Sequence, residues 1–171
     1  MNNTDILQET GKQLLLCVML SGDMKNSCHM WGLNGFKRWH RYNAMCFYKE
    51  LEGVKSHSID YYGKELNIKD GYVKPIYSKI DTMLEYWLNG MVSFANFLDG
   101  SIHNLQAVQS NMDVKLLSRL LCYTYNQIKL IRRIIVRFEA TGYMQHDIRV
   151  LDSKLHRKYK HKEIKKHNII D

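Results

Sequence analysis

The sequence has little of what most β-proteins, zinc-knuckle proteins and membrane proteins need. Its 171 residues include one proline, Pro75, and ten glycines, too few turn residues for a sandwich or barrel of many short strands. None of the four cysteines forms a CxxC pair, which excludes a zinc knuckle or a thioredoxin-type motif. The longest apolar run, residues 14–20, is far shorter than a membrane-spanning helix.

The N-terminal segment also lacks the features of a secretory signal. It carries Asp5 and Glu9 and has no positive charge before Lys12. Three of the four cysteines lie within or beside apolar helical stretches, which is typical of reduced cysteines in the core of an intracellular protein. We therefore expect a cytoplasmic protein that does not enter a membrane.

Positive charge is in excess. The chain has 25 Lys and Arg against 17 Asp and Glu, a net charge of +8, and 45% of its residues are hydrophobic. This apolar fraction is enough for a sizeable core. The charge favours an acidic partner, such as nucleic acid, an anionic membrane surface or an acidic protein. A basic protein without a polyanionic partner explains the same charge equally well.

Apolar residues recur every three or four positions along most of the chain, which predicts helices. The cleanest stripe comprises Ile80, Leu84, Trp87, Met91, Phe94, Leu98, Ile102 and Leu105. Asp113 is the expected N-cap of the next helix. The predicted helices cover approximately residues 4–29, 36–66, 76–108, 114–140 and, for a short fifth helix, 147–159. Four helices of this length predict a four-helix bundle.

Several short motifs resemble the subunit of non-haem bacterial ferritins. They are the turn Gly-Leu-Asn-Gly-Phe at 32–36 followed by Trp39, the loop Gly-Tyr-Val-Lys-Pro-Ile at 71–76, and the segments 138–142 and 148–155. The resemblance implies an all-α, ferritin-like four-helix bundle with a short fifth C-terminal helix. It assigns residues 1–160 to the bundle and residues 161–171 to a basic C-terminal tail.

The same resemblance indicates where the ligands of a di-iron oxidation centre would lie. They would come from inward Glu residues and a Glu-x-x-His pair, since iron prefers oxygen and imidazole ligands. No Glu-x-x-His occurs in the chain. The second helix allows two registers, one with Val54 and His57 and the other with Phe47 and Glu50. The remaining ligand positions are occupied by Leu14, Met91, Thr124 and Gln127.

The resemblance implies an iron-storage or iron-handling shell subunit, and these substitutions predict that it lacks its own oxidation centre. Iron is the metal that the resemblance implies, and no other cofactor is expected. Such a subunit would form a homo-oligomer or assemble with a catalytic ferritin subunit. His57 is the one candidate metal ligand. Its alternative role is that of a hydrogen-bonded residue in or beside the core.

The C-terminal segment supports an alternative function, nucleic-acid binding through phosphate contacts. Residues 149–171 contain eight Lys and Arg against three acids. An ordinary solvated C-terminus would have the same composition. No catalytic triad or glycine-rich phosphate loop is present, so an enzyme is the least expected function. The candidate phosphate-binding residues are Arg149, Lys154, Arg157, Lys158, Lys160, Lys162, Lys165 and Lys166.

Overall fold

Five helices form the fold in a computed structural model that describes residues 2–69 and 71–167, except for the side chains of residue 161 and residues 163–167. Within these ranges no strand occurs. The all-α prediction is therefore confirmed. The helices are α1 (Asn3–Met30), α2 (Asn34–Tyr62), α3 (Ile80–Ala107), α4 (Asn111–Ala140) and α5 (Gln145–His167).

Local sequence signals set several helix ends. At the start of α1, the Asn2 side chain accepts a hydrogen bond from the backbone N–H of Asp5, and the Asp5 carboxylate accepts one from the N–H of Asn2. This reciprocal arrangement is a capping box. At the end of α2, Gly63 adopts a left-handed conformation with φ of 62°, which favours glycine and ends the helix. The predicted second helix, 36–66, therefore ends earlier than expected.

The expected N-cap at Asp113 is wrong. Helix α4 begins at Asn111, with Ser110 in the N-cap position. Asp113 lies within the first turn, and its side chain is only 1% exposed. The carboxylate accepts a hydrogen bond from the Ser110 hydroxyl at 2.5 Å instead of capping the backbone. Its other partners come from α1 and α2, and they are Asn3, His57 and Tyr62.

The long connection between α2 and α3 returns along the bundle. The Gln8 side chain donates to the carbonyl oxygen of Asn67 at 2.5 Å, and the Tyr72 hydroxyl donates to the Asp23 carboxylate at 2.6 Å. These contacts carry the connection along α1 from its first turns towards its last. Helix α3 therefore starts at the end where α2 starts, and the two helices run in the same direction. One long crossover of this kind is a known bundle topology.

The core lies between two antiparallel helix pairs. Helix α1 packs against α2, α3 packs against α4, and α1 also contacts α3. All eight residues of the apolar stripe predicted on α3 are buried. The largest fully buried side chains include Phe36, Trp39, Phe47, Trp87 and Phe138. Aromatic side chains bury large apolar areas, so they dominate the packing energy of this core.

Helix α5 packs against the first half of α2. The Asp152 carboxylate accepts hydrogen bonds from the backbone N–H groups of Gly35 at 2.7 Å and Phe36 at 2.9 Å. Two turns further along both helices, the rings of Tyr42 and Tyr159 lie 5.3 Å apart. The two helices therefore run parallel. Helix α5 extends beyond the predicted 147–159 at both ends.

The predicted tail begins within this helix. Helix α5 continues through residue 167, whereas residues 168–171 lie outside the described residues. Across the described ranges, none of the helices combines the length and the apolarity that a membrane crossing requires.

Replacing Gly35 with Ala should loosen the contact between α2 and α5. A Cβ atom at Gly35 would overlap the backbone carbonyl of Asp152. Because backbone atoms cannot move away without shifting α5, we expect Gly35→Ala to lower the free energy of unfolding by about 1–3 kcal/mol. Urea unfolding followed by circular dichroism measures this loss.

The matched control is Gly100→Ala in α3, where an added Cβ meets nothing within 4 Å. Alanine is a better helix former than glycine, so this variant should be unchanged or more stable by about 0.5–1 kcal/mol. Equal changes in the free energy of unfolding for the two substitutions would contradict the close approach of α5 to α2 at Gly35.

Candidate functional site in the bundle interior

Leu14 and Phe47, two of the positions that the resemblance assigns to an oxidation centre, lie in the middle of the bundle. An added Cβ at Gly11 would contact Leu51 at 3.7 Å, so these residues face each other across α1 and α2. One turn further on α1 and one turn back on α2 bring Leu14 and Phe47 to the same level. Both side chains are fully buried.

Apolar and aromatic groups fill this level. Phe47 packs edge-on against Trp87, with ring centroids 6.0 Å apart, and against Tyr123, at 5.3 Å. Met91 and Thr124 are also fully buried. The Thr124 hydroxyl donates to the carbonyl oxygen of Leu120 at 2.8 Å, so its hydrogen is directed at its own helix. None of these side chains is the carboxylate or imidazole ligand that iron prefers.

A layer of neutral polar side chains lies beside this level. His40 and Asn43 are fully buried on the inner stripe of α2, and neither has a hydrogen-bond partner at any side-chain nitrogen or oxygen within the described structure. The indole N–H of Trp87 and the side-chain oxygen of Gln127 are likewise buried and unpaired there. The His40 ring lies 4.8 Å from the Trp39 ring and 5.8 Å from the Trp87 ring. These side chains form the neutral polar layer of the interior.

Burial keeps the His40 imidazole neutral. Removal of the ring from water lowers the pKa of His40 from 6.5 to about 3. The layer therefore offers one neutral imidazole, two amides and an indole N–H donor, and it brings no negative charge. A buried divalent ion needs compensating charge, so these residues do not fit a di-iron centre.

Sequence reasoning missed His40 and Asn43. A signal for them was available, because both fall on the helical stripe that contains Phe36 and Phe47. Polar residues at core spacing predict buried polar groups.

The buried carboxylates lie away from the middle of the bundle. Among the described residues, the buried acids are Asp113 and Asp152. Asp152 is bound at the N-terminus of α2, and Asp113 lies near the C-terminal end of the same helix. Two carboxylates are therefore directed inward, but at the two ends of α2. Over the same part of the chain, no three His, Cys, Asp or Glu side chains come together as a metal-binding group.

His57 lies in a polar cluster with Asp113. Its Nε2 atom is 2.6 Å from Asp113 Oδ1. The Tyr62 hydroxyl donates to the other carboxylate oxygen at 2.5 Å, and the Asn3 amide donates to that oxygen at 3.1 Å. The cluster, completed by Ser110, joins the ends of α1, α2 and α4. It accounts for His57 as a hydrogen-bonded residue at the boundary of the core.

Hydrogen bonds keep Asp113 ionised. Burial by itself raises the pKa of this carboxyl, but hydrogen bonds from Ser110, Tyr62 and His57 outweigh it, and the net pKa is lowered. A lowered carboxyl pKa stabilises the fold above the ordinary range of aspartate titration, and this contribution is lost as the pH falls through the folded-state pKa.

The predicted phosphate-binding residues lie on α5. Arg149 is exposed and donates to the carbonyl oxygen of Gly32 at 2.9 Å. The ammonium group of Lys162 lies 4.9 Å from the centroid of the Tyr42 ring. The side chains of Lys165 and Lys166 lie outside the described residues. The remaining predicted residues, all exposed, are Lys154, Arg157, Lys158 and Lys160.

Acid should destabilise the protein through His40. The unfolded chain binds a proton at this residue near pH 6.5, whereas the folded chain does so only near pH 3. As the pH drops from about 6.5 to about 3, the free energy of unfolding should therefore decrease, by up to about 1.4 kcal/mol per pH unit. In His40→Gln this part of the slope should disappear, as measured by urea unfolding at a series of pH values.

The control is His103→Gln. Because His103 is exposed on α3, this variant should leave the pH dependence of the free energy of unfolding unchanged. A slope in His40→Gln equal to that of the unchanged protein would show that His40 is not buried in its neutral form.

Comparison with solved structures shows which fold this is. The chain is similar to an open-pore ferritin from the hyperthermophilic archaeon Archaeoglobus fulgidus, with a TM-score of 0.82 and 12% identity over 91% of this chain and 96% of that one. A closed form engineered from the Archaeoglobus fulgidus ferritin has a TM-score of 0.81 and 12% identity over the same shares. A humanized archaeal ferritin has a TM-score of 0.81 and 13% identity, over 91% of this chain and 97% of that one.

No protein-family model and no curated protein sequence matches the chain. At these identities the likeness concerns the fold alone. The chain is an all-α bundle with a ferritin-like fold and a C-terminal fifth helix.

Proposed function

We propose that this protein is a subunit of a ferritin-like shell that stores or handles iron without an oxidation centre of its own. The fold supports the first part of the proposal, since solved structures with a similar fold carry the name ferritin. The shell would be a homo-oligomer or would include a catalytic ferritin subunit.

The composition of the bundle interior carries the second part. The side chains at the ligand positions of the family are Leu14, Phe47, Met91 and Thr124, all fully buried, and Gln127 at 7% exposure. In the alternative register, Val54 is fully buried too. A di-iron centre needs several inward carboxylates, and the buried ones are engaged at the two ends of α2.

Iron would then bind or be oxidised outside the interior of this bundle. Glu85 and Asp99 are exposed on α3, and their carboxylate oxygens are ligands of the kind that iron accepts. By contrast, Glu50 is paired with Arg119 at 2.7 Å. A catalytic partner subunit would supply the oxidation step that this interior does not support.

The native mass tests the shell. We expect purified protein to elute in size-exclusion chromatography with light scattering as a particle of many times the 20.3 kDa of one chain, with iron measured on the same peak. A protein that remains a monomer or dimer without metal would refute the storage function.

Iron oxidation tests the missing centre. Added Fe(II) should be oxidised in air by the protein no faster than in protein-free buffer of the same pH, because the interior supplies no ligand set for two irons. A catalytic ferritin is the positive control. Rapid oxidation at a fixed number of irons per chain would contradict this part of the proposal. It would not affect the conclusion about the shell, which depends on the native mass.

A second candidate function is nucleic-acid binding by the basic C-terminal segment. One observation favours it: the described cations of α5 are exposed, and they are carried by a helix that is fixed to the bundle.

A further inference from the structure

Helix α5 has an inner and an outer face of different chemistry. The buried residues Ile148, Asp152, Leu155 and Tyr159 recur at helical spacing and face α2. We define the outer face of α5 by its five exposed cations outside that stripe, which are Arg149, Lys154, Arg157, Lys158 and Lys160.

The outer face is held in place by the inner one. Asp152 binds the first N–H groups of α2. Tyr159 packs on Tyr42, and the ammonium group of Lys162 lies 5.3 Å from the centroid of the Tyr159 ring. A helix fixed in this way loses little conformational freedom when a partner binds, so its charges act at a low entropic cost.

Uncompensated charge is concentrated on this face. Between residues 149 and 162, the sequence contains one acid, Asp152, and its carboxylate faces α2. Within the described part of the chain, no ion pair involves Lys154, Arg157 or Lys160. The cations therefore keep their counterions in solution, which a polyanion can release on binding.

We propose that the outer face of α5 binds the phosphate backbone of a nucleic-acid duplex, without reading the sequence. This inference rests on the second candidate function, nucleic-acid binding, and locates it on the docked helix rather than in residues 163–171. From Arg149 to Lys160 the helix rises about 16 Å at 1.5 Å per residue. The five cations are spread over about half of the helix circumference, on the side away from the buried stripe, so they form a broad basic surface rather than a single line of charges.

The chemistry of the face favours a duplex over other polyanions. The apolar side of α5 is buried against α2, so the helix cannot insert into a membrane interface as an amphipathic helix does. A protein interface usually contains a buried apolar or aromatic centre, and the described side chains of residues 149–162 include no exposed large hydrophobic one. The same lack removes the aromatic platforms on which single strands stack their bases. Phosphate contacts alone remain, as in non-specific duplex binding.

Fluorescence anisotropy of a labelled 24-bp DNA duplex across a salt series tests the proposal with the full-length protein. We expect the logarithm of affinity to fall with the logarithm of salt concentration with a slope of about −4 to −5, as expected for about five phosphate contacts. The combined variant Lys154→Glu, Arg157→Glu and Lys158→Glu should bind more than tenfold more weakly, and its slope should be about three units shallower.

Two control variants separate this face from net charge and from the last residues of the chain. Lys129→Glu, Arg132→Glu and Arg133→Glu change the net charge equally, at exposed positions of α4, and should weaken binding less than threefold. Lys165→Glu with Lys166→Glu should also have a small effect. Circular dichroism and native mass confirm that each variant folds.

Equal losses in the α4 control would show that net charge alone causes binding and would overturn the proposal. Loss only in the Lys165 and Lys166 variant would overturn it while leaving nucleic-acid binding established. Tighter binding of the single strand, or equal binding of phosphatidylserine vesicles, would refute the duplex as partner. No binding to any of these polyanions would refute the second candidate function as well, and the shell test is independent of all these outcomes.

Discussion

The arrangement of this bundle depends on one buried carboxylate at the start of α2. Asp152 accepts hydrogen bonds from two backbone N–H groups, those of Gly35 and Phe36, which the helix itself cannot satisfy. Its negative charge also lies at the positive end of the helix dipole. Hydrogen bonds to charged groups contribute about 1.5–3 kcal/mol each, a large share of the stability of a domain of this size. The same contact fixes α5 to α2, and Arg149 extends it to the carbonyl oxygen of Gly32 in the turn after α1.

A second buried carboxylate has the corresponding role at the opposite end of the bundle. Asp113 joins α4 to the first residues of α1 through Asn3 and to the last turns of α2 through His57 and Tyr62. Removing one hydrogen-bond partner of a buried charged group typically costs more than the roughly 1–3 kcal/mol of a neutral one, because the charge is left less compensated. The described buried acids are thus used to connect helices at both ends of α2. The space between them is filled by apolar, aromatic and neutral polar groups.

Local sequence patterns predict where the helices lie. They do not predict the contacts between residues that are far apart in the sequence. The stripe from Ile80 to Leu105 identified the inner face of α3 because burial and helical period coincide there. Asp113 was misassigned as an N-cap because its partners His57 and Tyr62 are more than fifty residues away in sequence. Asp152 and Gly35 are 117 residues apart, so no local rule links them. That Phe47 lies at the level of Leu14 likewise follows from a contact between two helices, the one between Gly11 and Leu51.

The interior composition makes a single buried carboxylate unfavourable in the middle of the bundle. A single Glu in place of Leu14 or Met91 would be a buried charge beside fully buried apolar neighbours, and burying an unpaired charge is costly. With a full ligand set, the metal ions neutralise the carboxylates. Without any of these ligands, apolar packing stabilises the same volume. A partial set of carboxylates would have neither the neutralising metal ions nor the apolar packing. Neutral groups such as His40 and Asn43 are tolerated in this interior because burying an unpaired neutral polar group costs about 1–3 kcal/mol, far less than burying a charge.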